Sequence, residues 1–112
     1  MADEDPEISR LEQFRQVVEM DPDDYFSHFG YASELFDAGH YQTAVHEFRE
    51  AIRLKPDYSA AFRDLGRALE KTGAFDEAIK VYDDGIPIAE RNGDLQTLKE
   101  MQVFRRRLES KS

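Results

Sequence analysis

The chain has 112 residues, which is enough for one small domain with a single hydrophobic core. It contains no cysteine, which excludes disulfides, thiolate metal sites and a cysteine nucleophile, and makes a cytoplasmic location the expected one. Acidic residues outnumber Lys and Arg by 24 to 15, and the net charge of -9 argues against binding to nucleic acid or to an anionic membrane.

The N-terminal segment is acidic, and the helix predicted after it is amphipathic. Residues 1 to 7 are polar and acidic, and no apolar run reaches membrane-spanning length, so we expect neither a targeting peptide nor membrane insertion. Apolar residues then recur at three- and four-residue spacing, which predicts a helix over residues 6–20. They are Ile8, Leu11, Phe14, Val17 and Val18.

Turn-forming residues delimit the next predicted helix. Asp21 supplies a capping side chain, and Pro22 suits the first turn of a helix because its missing N–H has no helical partner there. The second helix is therefore predicted from these residues to Ala38. Gly39 ends this helix, and Gly73 ends a later one in the same way, because glycine adopts the left-handed conformation without steric cost.

Four further helices are predicted, which makes six in all, with no candidate strand. Asn92 and Gly93 form a strong turn signal, and Asp94 can cap the last helix. Pro87 lies inside the preceding helix, where it removes a backbone hydrogen bond, so we expect a kink at residues 85 to 87. The predicted ranges are 41–54, 57–72, 75–91 and 94–109.

The apolar pattern repeats every 34 residues, which indicates stacked helix-turn-helix repeats. Several sets of residues follow this period: Leu11, Val45 and Ile79; Phe14, Phe48 and Tyr82; Val18, Ile52 and Ile86; Met20, Leu54 and Ile88; and Gly39 and Gly73. Because each such unit contacts only its neighbours, a repeat array builds one continuous core and presents extended surfaces for binding.

Two consecutive stretches resemble the tetratricopeptide repeat (TPR) family. Residues 25–58 match the family pattern at Ala32, Leu35, Gly39, Tyr41, Ala44, Phe48, Ala51 and Pro56. Residues 59–92 match it at Phe62, Leu65, Gly66, Leu69, Gly73, Phe75, Ala78 and Tyr82. The small Gly66 and Ala78 are expected to let paired helices approach closely. His28, Gly85 and Glu90 depart from the pattern, where the family has a large aromatic residue, an alanine and a proline.

The resemblance implies an all-α solenoid of about six antiparallel helices, forming a single domain over residues 1–112. Two full repeats, 25–58 and 59–92, would then lie between an N-terminal half-repeat, 6–22, and a C-terminal capping helix, 94–109. It also implies a non-enzymatic module that binds a peptide or helical segment of another protein on its concave face, which the first helix of each repeat lines.

Aligning the sequence with the family places a set of candidate binding residues on this concave face: Phe26, Phe29, Ser33, Phe36, Arg63, Arg67 and Lys71, with Asp37, Ala60 and Glu70 beside them. The three cations are four residues apart, which predicts a cationic ridge and an acidic, aromatic partner. Alternatively, Phe26 and Phe29 pack against the first helix, and Arg63 and Lys71 pair with nearby acids. The family's carboxylate clamp is excluded, because Phe29, Ser33 and Asp64 replace its Lys and Asn residues.

A second function class is self-association into a dimer or chain. Residues 1–24 carry nine acids against two bases, and the last helix carries the basic run Arg105 to Arg107, so the two ends of different copies could attract each other. The expected state is a monomer or a weak homodimer. No catalytic, cofactor or metal site is predicted, because His28, His40 and His46 lack metal-ligand spacing and no phosphate loop or nucleophile elbow occurs.

Overall fold

The computed structural model describes the backbone of residues 6–111 and the side chains of residues 10–111. Over this part of the chain it contains six α-helices and no strand, which confirms the predicted all-α class. The helices are α1 (Pro6–Met20), α2 (Tyr25–Asp37), α3 (Tyr41–Leu54), α4 (Ser59–Lys71), α5 (Phe75–Asn92) and α6 (Leu95–Glu109). The predictions for residues 1–5 and for the side chain of Ile8 lie outside the described residues.

The start of α2 differs from the prediction. Asp24, rather than Asp21, caps this helix, and its carboxylate accepts hydrogen bonds from the Phe26 N–H at 3.2 Å and the Ser27 hydroxyl at 2.6 Å. The residues after Asp21 form a turn, closed by a 3.2 Å bond from the Asp24 N–H to the Asp21 carbonyl. The helix therefore begins at Tyr25, after this turn, and α4 likewise begins two residues later than predicted, at Ser59.

The helix ends follow the predicted turn chemistry. Gly39, Gly73 and Gly93 have φ angles of +85°, +81° and +70°, which allow the chain to reverse after α2, α4 and α5. Asp94 caps α6 as predicted, by accepting a bond from the Thr97 N–H at 3.3 Å. Helix α5 continues through Pro87 to Asn92. The bend expected at residues 85 to 87 stays a prediction.

The helices form antiparallel neighbours in a stack. α2 packs on α3, α4 packs on α5, and α6 packs on α5, while α1 contacts α2 at one end. The first helices of the two pairs also contact each other, and α4 contacts α6. We keep the division into an N-terminal half-repeat, two repeats and a capping helix as a proposal. Val17, predicted to face the core, is 48% exposed, because α1 contacts only α2.

The core runs as one cluster through the stack. Its largest fully buried side chains are Phe48, Tyr82, Met101 and Leu108, and each contributes about 1.5 to 3 kcal/mol through removal of apolar surface from water. Glycine permits close approach at two places. A Cβ on Gly66 would lie 2.1 Å from Cε1 of Tyr82, and a Cβ on Gly85 would lie 2.5 Å from Cβ of Phe62.

Candidate protein-binding face

The predicted binding residues lie on the first helices of the two pairs, α2 and α4, which are neighbours in the stack. We call the surface formed by one side of α2, α4 and α6 the inner face. On α2, Phe26, Phe29, Ser33 and Phe36 recur every three or four residues and therefore share one side of the helix. On α4, the cations of residues 63, 67 and 71 recur every four residues.

The aromatic residues of α2 differ in how far they are buried. Phe26 is 62% exposed and is available for contact with another molecule. Phe29 is half-buried, and its ring centroid lies 5.7 Å from that of Phe48 and 5.0 Å from that of Tyr58. Phe29 therefore packs against α3 and the turn before α4. The sequence-based alternative predicted that it would pack against α1. Ser33 donates its hydroxyl proton to the Phe29 carbonyl at 3.0 Å.

A small pocket opens between α2 and α4. Its volume is about 60 Å3 and its lining residues are Ser33, Phe36, Asp37, Phe48, Asp64 and Arg67. The Arg67 guanidinium carbon lies 4.9 Å from the centroid of the Phe36 ring, and one of its nitrogens lies 3.7 Å from Asp64 Oδ1. We call this site the Phe36 pocket. It presents an aromatic ring next to a cation, together with the carboxylates of Asp37 and Asp64, and the ring offers a contact for an apolar group.

Arg63 has a different role from the other two cations of α4. Its Nε donates to Asp64 Oδ1 at 2.9 Å, and its Nη1 donates to Glu100 Oε1 at 3.2 Å. The hydrogen bond that Arg63 donates to Asp64 is the largest cause that raises the pKa of Arg63, and the charges of Asp64 and Glu100 raise it further. Because Arg63 is held between α4 and α6 and Arg67 lies 3.7 Å from Asp64, Lys71 is the one cation of the predicted ridge with no carboxylate within 4.0 Å among the described residues.

Sequence reasoning missed a buried ion pair that fixes the position of α2. The Nδ1 of His28 donates to Glu47 Oε1 on α3, and its Nε2 donates to the Pro22 carbonyl, both at 2.7 Å. Burial by itself would lower the pKa of His28, but the Pro22 carbonyl and the Glu47 carboxylate together raise it. The signal in the sequence was a histidine at a position where the family has a large aromatic residue.

The described residues form neither a metal cluster nor a membrane-spanning helix. No group of three or more His, Cys, Asp or Glu side chains in this part of the chain is arranged to hold a metal ion. No helix over the same residues is long and apolar enough to cross a membrane.

Comparison with known proteins agrees with the fold. The family model for the tetratricopeptide repeat matches residues 29–94. The chain is 29% identical over 99 residues to a TPR repeat-containing protein of Pseudomonas aeruginosa, which covers 88% of this chain and 94% of that protein. It is 31% identical over 88 residues to the STIP1 homolog of Dictyostelium discoideum, which covers 79% of this chain but only 16% of that protein.

A solved structure supports the same architecture. The TPR2B domain of yeast Sti1, in its complex with pHsp70, superposes with a TM-score of 0.85 at 13% identity, covering 91% of this chain and 82% of that chain. At this identity the likeness shows the fold alone. Because the family model covers more than half of the residues, the chain belongs to the tetratricopeptide repeat family, whose domains are generally non-enzymatic protein-interaction modules.

Proposed function

We propose that the inner face binds a peptide or helical segment of another protein, and that this segment carries an apolar anchor followed by acidic side chains. One observation carries the proposal: the Phe36 pocket places an aromatic ring and a cation side by side at a small cavity between α2 and α4. Aromatic and arginine side chains supply most of the energy in peptide interfaces, and both are present here. The yeast Sti1 domain, which has the same fold, is in complex with pHsp70.

Phe26 extends the proposed surface along α2. Because more than half of its surface is exposed, it can be covered by a ligand without any rearrangement of the core. The partner is therefore expected to contact α2 through apolar groups and α4 through carboxylates. A cytoplasmic setting is part of this proposal and is supported by the absence of cysteine from the sequence.

Peptide selection from a displayed random library tests the proposal. We expect the selected peptides to combine an apolar residue with Asp or Glu, and to bind Phe26→Ala and Arg67→Ala about fivefold to tenfold more weakly than the wild type. Leu95→Ala and Arg91→Ala are matched controls, because both residues are exposed and lie outside the inner-face set. Peptides that bind all five proteins equally, or a selection without enrichment, would refute the proposal.

Self-association is the second candidate, and exposed apolar residues on α1 favour it. Val17 and Met20 are 48% and 85% exposed and lie three residues apart on the side of α1 that does not contact α2. If copies associate through this side, light scattering will show a mass that rises with concentration in the wild type and stays constant in Met20→Lys. A monomeric mass at all concentrations in both proteins would remove this candidate.

A further inference from the structure

A larger pocket lies where the C-terminal ends of α4 and α6 meet the start of α5. Its volume is about 340 Å3, and its lining residues are Arg67, Glu70, Lys71, Phe75, Arg107 and Lys111. We call it the basic pocket. Four cations face a single carboxylate there, although the chain as a whole carries a net charge of -9. This local excess of positive charge requires an explanation.

Three of these cations have no carboxylate partner among the described residues. No Asp or Glu oxygen within that part of the chain lies within 4.0 Å of the charged nitrogens of Lys71, Arg107 or Lys111. Arg105, which lies on α6 with Arg107, differs in having a carboxylate partner: its Nε is 2.6 Å from Asp83 Oδ1. Three of the four cations of the basic pocket are therefore not paired with a carboxylate among the described residues, whereas the fourth, Arg67, lies 3.7 Å from Asp64.

Each of the four cations also lies over an aromatic ring, a contact that does not neutralise its charge. The distances from the cationic atom to the ring centroid are 4.9 Å for Arg67 over Phe36, 6.0 Å for Lys71 over Tyr41, 5.0 Å for Arg107 over Phe104 and 5.6 Å for Lys111 over Phe75. Such contacts restrict long side chains and leave their N–H donors open to a ligand.

The one acid in the basic pocket is engaged elsewhere. The hydroxyl of Tyr82 donates a hydrogen bond to Glu70 Oε2, and burial together with this carboxylate raises the pKa of Tyr82. No Lys or Arg nitrogen within the described residues lies within 4.0 Å of the Glu70 carboxylate. Glu70 therefore offsets one of the four positive charges through its own charge, without an ion pair to any of them, and the lining keeps an excess of positive charge.

We propose that the basic pocket binds the carboxylates of an acidic peptide, with at least two Asp or Glu side chains close together in its sequence. The inference rests on the proposed function and deepens it, because Arg67 lines both the Phe36 pocket and the basic pocket. A single segment crossing Arg67 can place its apolar residue at Phe36 and its acids at Lys71, Arg107 and Lys111. Guanidinium and ammonium groups are suited to carboxylates.

An acidic peptide fits this pocket better than a nucleic acid does. A polyanion that extends beyond the pocket would meet the acidic surface of the chain, whose charge of -9 opposes long phosphate backbones. A short peptide confines its negative charge to the region of the four cations. Salt screens electrostatic interactions beyond roughly 10 Å at 0.1 M. The charges lining the pocket therefore affect the binding of such a peptide more than the distant acidic residues do.

The test uses a fluorescein-labelled peptide in which one Phe precedes a run of Glu residues, measured by fluorescence anisotropy at low and high salt. The variant Arg107→Glu with Lys111→Glu reverses two cations of the basic pocket. The control, Lys99→Glu with Arg106→Glu, makes the same change in net charge on α6, at exposed residues outside the pocket. Circular dichroism checks that each variant folds, and Arg107→Gln with Lys111→Gln replaces the first variant if it does not.

We expect the pocket variant to bind the peptide about tenfold or more weakly, and the control to bind within about twofold of the wild type. Equal binding by pocket variant and control would overturn the basic pocket while the proposed function stands, provided that Arg67→Ala and Phe26→Ala still weaken binding. No binding of the peptide to the wild type would overturn both. A single-stranded oligonucleotide that binds more tightly than the peptide would overturn the assignment to an acidic peptide.

Discussion

Replacing Gly66 by alanine tests the close contact between α4 and α5. Alanine normally stabilises the middle of a helix by about 1 kcal/mol relative to glycine, so an open site would become more stable. Here the new Cβ would lie 2.1 Å from Cε1 and 2.5 Å from Cζ of Tyr82. Ordinary carbon contacts need about 3.5 to 4.0 Å, so the ring or the helix would have to move by about 1.5 Å.

The movement is costly because Tyr82 is fully buried and its hydroxyl is bonded to Glu70. Overpacking a filled core costs about 1 to 3 kcal/mol, and the size of this overlap places Gly66→Ala at the upper end of that range. After the gain from helix propensity, we expect a net loss of about 2 kcal/mol in the free energy of unfolding. The melting temperature should fall by about 10 °C.

Urea unfolding followed by circular dichroism measures this change. Gly30→Ala is the matched control, because its Cβ would approach only the ring of the half-buried Phe14, at 3.3 Å from Cε1 and 3.6 Å from Cδ1, and we expect its stability to stay within about 1 kcal/mol of the wild type. The double variant Gly66→Ala with Tyr82→Leu should be more stable than the two single effects predict. If Gly66→Ala is as stable as the wild type, the proposed steric conflict is wrong.

Three further predictions concern other contacts of the fold. The pKa of His28 is raised in the native state, so its protonation contributes fully to the free energy of unfolding below the unfolded pKa of about 6.5. This contribution is lost as pH rises through the folded pKa. Urea unfolding should show the loss in the wild type and not in His28→Phe with Glu47→Leu. Asp94→Ala removes the cap of α6 and the acceptor of the Ser59 hydroxyl, and should cost about 1 to 2 kcal/mol in the same assay. Deleting residues 94–112 exposes the apolar surface of α5 and should cause unfolding or aggregation, whereas a folded truncation with an unchanged melting temperature would contradict the role of α6 as a cap.

The helices could be located from the sequence because their signals are local. Gly39 and Gly73 mark turns through their own backbone freedom, and the apolar spacing is a property of each helix by itself. The cap of α2 was assigned to Asp21 instead of Asp24 because either aspartate can cap a helix. The turn before α2 decides between the two aspartates. This turn depends on tertiary contacts, such as the hydrogen bond between His28 and the Pro22 carbonyl.

The binding surface was less predictable because it depends on distances between helices. Spacing on α4 placed Arg63, Arg67 and Lys71 on one side, but it could not show that Glu100 of α6 binds Arg63. Residues 107 and 111 are about 40 positions from the cations they join, and no local pattern relates them to α4. Their proximity follows only from the packing of α6 against α5 and α4.

The pairing of Arg63 also explains how the basic pocket can form in an acidic protein. By holding Glu100, Arg63 ties the middle of α6 to α4 and fixes how the two helices align along their length. Their C-terminal ends are then adjacent, and Arg107 comes to lie in one pocket with Lys71. Arg63 thus has a structural role, because its charge is paired within the stack, whereas Lys71 and Arg107 have no carboxylate within 4.0 Å among the described residues and are open to a partner.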